Sequence, residues 1–366
     1  MRTAGSIRIT VAAMAASALL GALGSTAQAA GPGAGEGSRL PGVQIDRETA
    51  KPSTVRAYWT PERRAQAMAH PADGGSAHAP AARQQRTPAG GADLPDVSMS
   101  AGPTLPKGAR SADQKARPAA DAPELSRSLR TPFPHRWPWR QTGLLLFQQA
   151  NGKPAQCTAS VITHENRSTL WTAAHCLYDK KSGGWTKNSI FLPGSQGGDD
   201  PYGGWVKDYS VVPQQWIDEP DYRYADMGAM VVKKDARRGY LQDEVGAYGY
   251  EFRSNSPDND LVFSLGYPGR GYNRPDSDFS GEDQMYCAGD TVDASEWNPL
   301  DERLRMDCDM GGGASGGPMV KNLVSTPQIV GTNSHRNVDP DGTYTDNHLY
   351  SSEHGAQAVS VYQAVE

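Results

Sequence analysis

The chain has 366 residues, with 36 Lys and Arg against 41 Asp and Glu, a formal net charge of −5. That length suits one domain of about 200–250 residues with accessory segments, or two small domains. The charge balance supplies no basic surface for nucleic acid. Beyond the N-terminus, no stretch reaches the ~18 apolar residues of a membrane span. Neither nucleic acid nor membrane is expected as a partner.

The first residues read as an export address. Arg2 and Arg8 supply positive charge, residues 11–23 are apolar, and Ala27-Gln28-Ala29 has the small-x-small form that signal peptidases accept. Residues 1–29 are expected to be removed from a secreted, extracellular protein. Export makes the four cysteines, Cys157, Cys176, Cys287 and Cys308, interpretable as two disulfides, for which three pairings exist. Nearest-neighbour pairing would close two short loops, each worth roughly 3 kcal/mol in the loop-entropy picture. No Cys-x-x-Cys or paired-histidine spacing is present, so neither a metal nor another cofactor is expected.

Residues 30–130 are rich in Ala, Pro, Gly and charge, with too few large apolar side chains to offset the entropy of ordering. They read as a largely disordered, low-complexity prosegment. One island, Thr60-Pro61-Glu62-Arg63-Arg64-Ala65, has an N-cap, a proline at the first helical position and good helix formers, and predicts a short helix.

From residue 131 to 366 the composition changes. Short apolar runs such as Gly143-Leu144-Leu145-Leu146-Phe147, Thr158-Ala159-Ser160-Val161-Ile162 and Leu261-Val262-Phe263-Ser264-Leu265 alternate with Gly, Pro, Asn and Asp clusters. This pattern predicts an all-β domain, a sandwich or barrel, closed by a short helix within residues 356–365.

Two motifs carry chemistry. Ser315 lies in Gly311-Gly312-Gly313-Ala314-Ser315-Gly316-Gly317-Pro318. Glycines there let the backbone turn sharply and aim its N–H groups at one point, where they could stabilise an oxyanion. His175 lies in Thr172-Ala173-Ala174-His175-Cys176 and supplies the base that a weakly nucleophilic hydroxyl needs.

Together, in this order, the two motifs resemble the histidine and serine motifs of chymotrypsin-like (trypsin-like) serine endopeptidases, in particular the secreted bacterial branch related to glutamyl endopeptidases. The likeness covers residues 131–366. It implies two six-stranded antiparallel β-barrels with the catalytic triad in the cleft between them. It also implies peptide-bond hydrolysis through an acyl-enzyme intermediate, polypeptides as substrates and a monomeric protein. The third triad member should lie between the two motifs, and Asp226, directly before the apolar run Gly228-Ala229-Met230-Val231-Val232, fits best; Asp218, Asp221 and Asp235 are its rivals. The resemblance assigns the oxyanion hole to the N–H groups of Gly313 and Ser315, and a place behind the triad aspartate to Ser334.

The chain also departs from the family pattern. Ala314 stands where animal trypsins carry the aspartate that pairs with a freed N-terminus, so the zymogen must be silenced in another way, by a steric or folding role of the prosegment. Arg127 and Arg130 are the candidate maturation sites. Asp309 occupies the place that gives trypsins their preference for Arg and Lys, yet Arg336 stands where they have a glycine and His335 where they have tryptophan. Asp309, Ser334, His335 and Arg336 are the candidate substrate-binding residues, with conflicting implications.

Two other functions compete. Gly313-Ala314-Ser315-Gly316-Gly317 also satisfies the α/β-hydrolase G-x-S-x-G, but that fold needs its aspartate and histidine after the serine, and strand–helix alternation before it. A protease-like binding module without catalysis is the second.

Overall fold

The computed structural model describes residues 40–72, 94–109, 124–219, 223–254, 258–294 and 303–366. The expected signal peptide lies outside them. No helix among the described residues is long and apolar enough to cross a membrane.

Five elements precede the barrels: β1 (Val43–Arg47), α1 (Pro52–Tyr58), α2 (Pro61–Ala69), β2 (Ser98–Ala101) and β3 (Leu125–Arg130). Helix α2 starts where its sequence predicts: Thr60 is extended, Pro61 opens the helix, and the Thr60 hydroxyl accepts the Arg63 N–H at 3.3 Å. The other four lie in the stretch read as low-complexity. They are ordered because each borrows a surface from the β-rich remainder of the chain. β1 pairs with a strand of the first barrel, β2 and β3 with strands associated with the second.

The first barrel is built from β4 (Thr142–Gln148), β5 (Pro154–Val161) and β6 (Thr169–Thr172), then, after a small hairpin of β7 (Tyr178–Asp179) and β8 (Gly184–Trp185), from β9 (Lys187–Pro193), β10 (Trp205–Pro213) and β11 (Gly228–Val232). Strand order runs β10-β11-β6-β5-β4-β9, and β9 returns to β10 through the Phe191–Trp205 and Ile190–Val206 pairs. Six antiparallel strands therefore close on themselves, leaving no free edge. Helix α3 (Gln214–Asp218) lies between β10 and β11, and α4 (Leu241–Val245) leads to β12 (Gly249–Arg253).

The second barrel uses β13 (Asn259–Gly266), β14 (Met285–Asp293), β15 (Leu304–Asp307), β16 (Pro318–Lys321), β17 (Gln328–His335) and β18 (His348–Ser351). Its order is β16-β13-β14-β15-β18-β17, closed by antiparallel pairing of β17 with β16. The two six-stranded barrels and the terminal helix α5 (Ala356–Gln363) match the expected architecture. Both disulfides adopt the nearest-neighbour pairing, Cys157–Cys176 and Cys287–Cys308, with Cα–Cα separations of 6.2 and 5.6 Å.

The packing of β4 and β9 explains why the N-terminal elements stay docked. On β4, Leu145 and Phe147 join the interior of the first barrel together with Phe191 of β9. Leu144 and Leu146 fall on the opposite face, as period-two alternation requires, with Ile190 and Leu192 beside them. That outer apolar face is covered by Val55 of α1 and Ala67 of α2, both fully buried. Burying Val55 alone contributes about 1.5–3 kcal/mol. A third cluster joins the barrels: Trp171 and Met227 from the first, Leu265, Val320 and Ile329 from the second, and Ala358 and Val361 of α5.

Candidate active site

His175 sits in a single 3-10 turn, Ala174–Cys176, directly after β6, and the Cys157–Cys176 bridge ties that turn to β5. Asp226 lies just before β11, beside β6 in the sheet, so the pairing of Gly228 with Thr172 brings the two loops together. Its carboxylate is buried, 1% exposed. Oδ1 accepts the His175 backbone N–H at 2.9 Å and Oδ2 lies 2.8 Å from His175 Nδ1. An ionised carboxylate can only accept, so Nδ1 carries a proton and points it at Asp226. Ser334, near the end of β17, donates its hydroxyl to the same Oδ2 at 2.7 Å. Three donors therefore fix one carboxylate, and with it the orientation of the imidazole. Asp218 and Asp235, by contrast, meet Gln214 and Arg56, while Asp221 lies outside the described residues.

The serine loop is pressed against the histidine loop. The Ser315 carbonyl accepts the Thr158 N–H at 2.8 Å and stands 3.7 Å from Cys176 Sγ, next in sequence to His175. The Thr158 hydroxyl donates to Gly313 O at 2.9 Å. Gly316 has φ +82°, and a Cβ there would lie 2.0 Å from Thr172 Oγ1 and 2.3 Å from Thr158 O. Only glycine permits this approach. Gly313, at φ +92°, is equally constrained, since a Cβ would meet Tyr267 O at 2.5 Å.

Gly313 also makes a contact that nothing in its own neighbourhood foretells. Its N–H donates to the carbonyl of Ala72 at 3.0 Å, and the Ala72 N–H donates to Gln156 O at 2.9 Å. Ala72 follows α2, so the N-terminal segment ends, within its described part, on the nitrogen expected to hold an oxyanion. α2 itself is anchored by Arg64, which meets Asp200 at 2.5 Å and Glu282 at 3.1 Å.

Beside Ser315 lies a narrow recess of about 10 Å³, lined by Gly311, Asn333, Ser334, His335, Arg336 and Leu349. Three of the four candidate substrate-binding residues thus gather there. Asp309 does not: its carboxylate is buried, accepting the Ser128 N–H of β3 at 2.8 Å and pairing with Arg274 at 2.9 Å. Arg336 is also buried, donating to the carbonyls of Cys308, Met310 and Asp346 between the rings of Tyr272 and Tyr344. Arg127 and Arg130, the candidate maturation sites, lie within β3, where Arg130 faces Met285 of β14 and pairs with Asp283.

Sequence reasoning missed Ala72, Thr158 and Arg274. Thr158 had a readable signal, as a polar residue next to Cys157 in an apolar run. The others lie far along the chain from the residues they serve.

No family model matches the chain. A glutamyl endopeptidase from Bacillus licheniformis is 30% identical over 102 residues, which are 28% of this chain and 30% of that relative. The match therefore spans less than a third of the relative's length. Among solved structures, the protease Anisep from Arthrobacter nicotinovorans superposes with a TM-score of 0.52 at 27% identity, over 61% of this chain and 94% of that one. The thermostable serine protease AL20 from an extremophilic microorganism gives 0.51 at 24% identity, over 61% and 95%, a likeness of fold.

Proposed function

We propose, starting from a chain with the fold of the chymotrypsin-like serine proteases, that this protein is a secreted serine endopeptidase made as a zymogen. In this reading Ser315 Oγ attacks the carbonyl carbon of the scissile peptide and passes its proton to His175 Nε2. Asp226 holds Nδ1–H and stabilises the imidazolium. The N–H groups of Gly313 and Ser315 receive the negative charge on the carbonyl oxygen. Collapse of the tetrahedral species expels the amine, which takes the proton from His175. Water, activated by the same imidazole, then hydrolyses the acyl-enzyme. The observation that carries the reading is the double grip of Asp226 on His175 together with the Ser334 bond. A catalytic imidazole needs that tautomer and orientation, whereas a binding module has no use for it.

Two finer points belong to the same reading. The Ala72 carbonyl on Gly313 N–H silences the precursor by occupying half of the oxyanion hole, and a cut in residues 73–93 would free it. Asp309, closed off by Arg274 and Ser128, is not offered to a basic substrate side chain. Arg336 lines the recess but is likewise engaged, by the carbonyls of Cys308, Met310 and Asp346, so neither charge is offered to a substrate side chain.

A fluorophosphonate probe tests the reading. Proteolytically processed protein should be labelled at Ser315, and the Ser315→Ala variant should not. Processed protein that resists labelling would instead be the binding module.

A further inference from the structure

Behind Asp226 the hydrogen bonds continue to a second histidine. Neighbouring residues of a regular strand point to opposite faces, but the register of β17 against β18 is irregular between Asn333 and His335. Such an irregularity re-aims side chains. Here His335 Nδ1 comes to 2.9 Å from the hydroxyl of its neighbour Ser334. On the other side of the ring, His335 Nε2 lies 3.1 Å from Arg303 Nη1. The ring is stacked on Tyr350, with centroids 5.1 Å apart and planes 10° from parallel.

The donor inventory gives this chain a direction. A guanidinium only donates, so His335 Nε2 must accept. The ring is neutral: burial holds its pKa well below the usual histidine range, and the nearby charges of Arg303, Arg223 and His175 push the same way. The single ring proton therefore sits on Nδ1 and is donated to Ser334 Oγ. With that lone pair occupied, the hydroxyl's own proton is directed at Asp226 Oδ2. Hydrogen bonds in series reinforce one another in a low-dielectric interior.

We propose that His335 is a positioning residue of the triad, which acts through Ser334 to fix the carboxylate of Asp226 against His175. Arg303 and Tyr350 serve it in turn, one setting its tautomer and the other its plane. This inference rests on the protease reading above, and it separates His335 from the substrate recess that it also borders.

The test uses the full-length chain activated by limited proteolysis, assayed on a peptide substrate. His335→Phe keeps an aromatic ring over Tyr350 and removes the donor; it should lower kcat about tenfold and leave KM within about twofold. His335→Asn places an amide N–H near the lost Nδ1 and should recover most of the loss, which a failure of folding would not. In a Ser334→Ala background, His335→Phe should cost less than about twofold more, because the path to Asp226 is already cut. Wild-type kcat in His335→Phe, a loss confined to KM, or fully additive losses with Ser334→Ala would each overturn the proposal. An active, probe-labelled parent with an indifferent His335 removes this inference alone. A parent that neither cleaves nor labels removes the protease reading with it.

Discussion

On one side of Ser315, Asp226 accepts three hydrogen bonds, His175 is locked in a single orientation, and Ser334 and His335 stand behind both. On the other side, the Gly313 N–H that should receive an oxyanion is already bonded to the protein's own Ala72. If the chain is the precursor proposed above, its proton-relay half is assembled while its substrate half is occupied. In the proposed reading the precursor is silenced by obstruction, because Ala314 cannot pair with a new N-terminus. Activation in that reading need not rebuild the relay, only clear the groove.

The largest effects test the relay half. In the processed protein, Ser315→Ala or His175→Ala should lower kcat by about 10⁶-fold, with no further loss when combined. Asp226→Asn should lower it by about 10⁴-fold, because an amide can donate to Nδ1 and select the wrong tautomer. Steady-state kinetics on one peptide would read all three. A Ser315→Ala loss below tenfold would dismantle the relay assignment. A loss from Asp226→Asn no larger than that from Asp235→Asn would mean that the wrong carboxylate has been chosen.

Acid should discriminate between the halves next. Beneath the relay, His354 joins the two barrels: Trp171 Nε1 donates to its Nε2 at 3.0 Å, Thr332 Oγ1 lies 3.0 Å from the same nitrogen, and Nδ1 faces Ser352 O at 3.1 Å. Burial pushes this imidazole down to about 4, against a smaller upward pull from the Ser352 carbonyl. The unfolded chain, with a histidine near 6.5, binds the proton first. Its contribution to stability is therefore complete above about pH 6.5 and is lost as pH falls from there to about 4, a change of about 3 kcal/mol. Thermal melts of wild type and His354→Gln across that range should converge as the pH drops. Parallel curves would show that His354 carries a proton in the folded state.

The same contrast governs what the sequence discloses. The proposed relay is legible because each part is a local pattern: glycines around Ser315, small residues before His175, an apolar strand after Asp226. The obstruction is not, because Ala72 is an unremarkable residue in an Ala- and Pro-rich stretch, and its partner lies more than two hundred positions away. One trace did exist. Leu144, Leu145, Leu146 and Phe147 are consecutive, whereas a barrel strand with one wet face should alternate. The unbroken run reports a cover on the outer face, and that cover is α1 and α2. Asp309 misleads for the opposite reason: its position suggests a specificity pocket, but the pairing with Arg274, 35 positions away, decides its role.

The smallest effect tests the obstruction itself. Arg64 holds α2 through Asp200 and Glu282 with only 19% of its side chain exposed. Truncation leaves those two carboxylates without their shared cation, at a cost of about 1–2 kcal/mol for a half-buried pair. The loss falls on the docked state of the segment alone. Uncut Arg64→Ala precursor should therefore show about tenfold more peptidase activity than uncut wild type, while the two proteins should be equal after processing. Arg56→Ala is the control: Arg56 ties α1, rather than α2, to Asp235, and its side chain is 44% exposed, so activity should change less than about twofold. If Arg64→Ala lowers the melting temperature of the precursor yet leaves it as inert as before, Ala72 is a tether and not the lock. The missing activity would then have to be sought in the closed recess around Arg336.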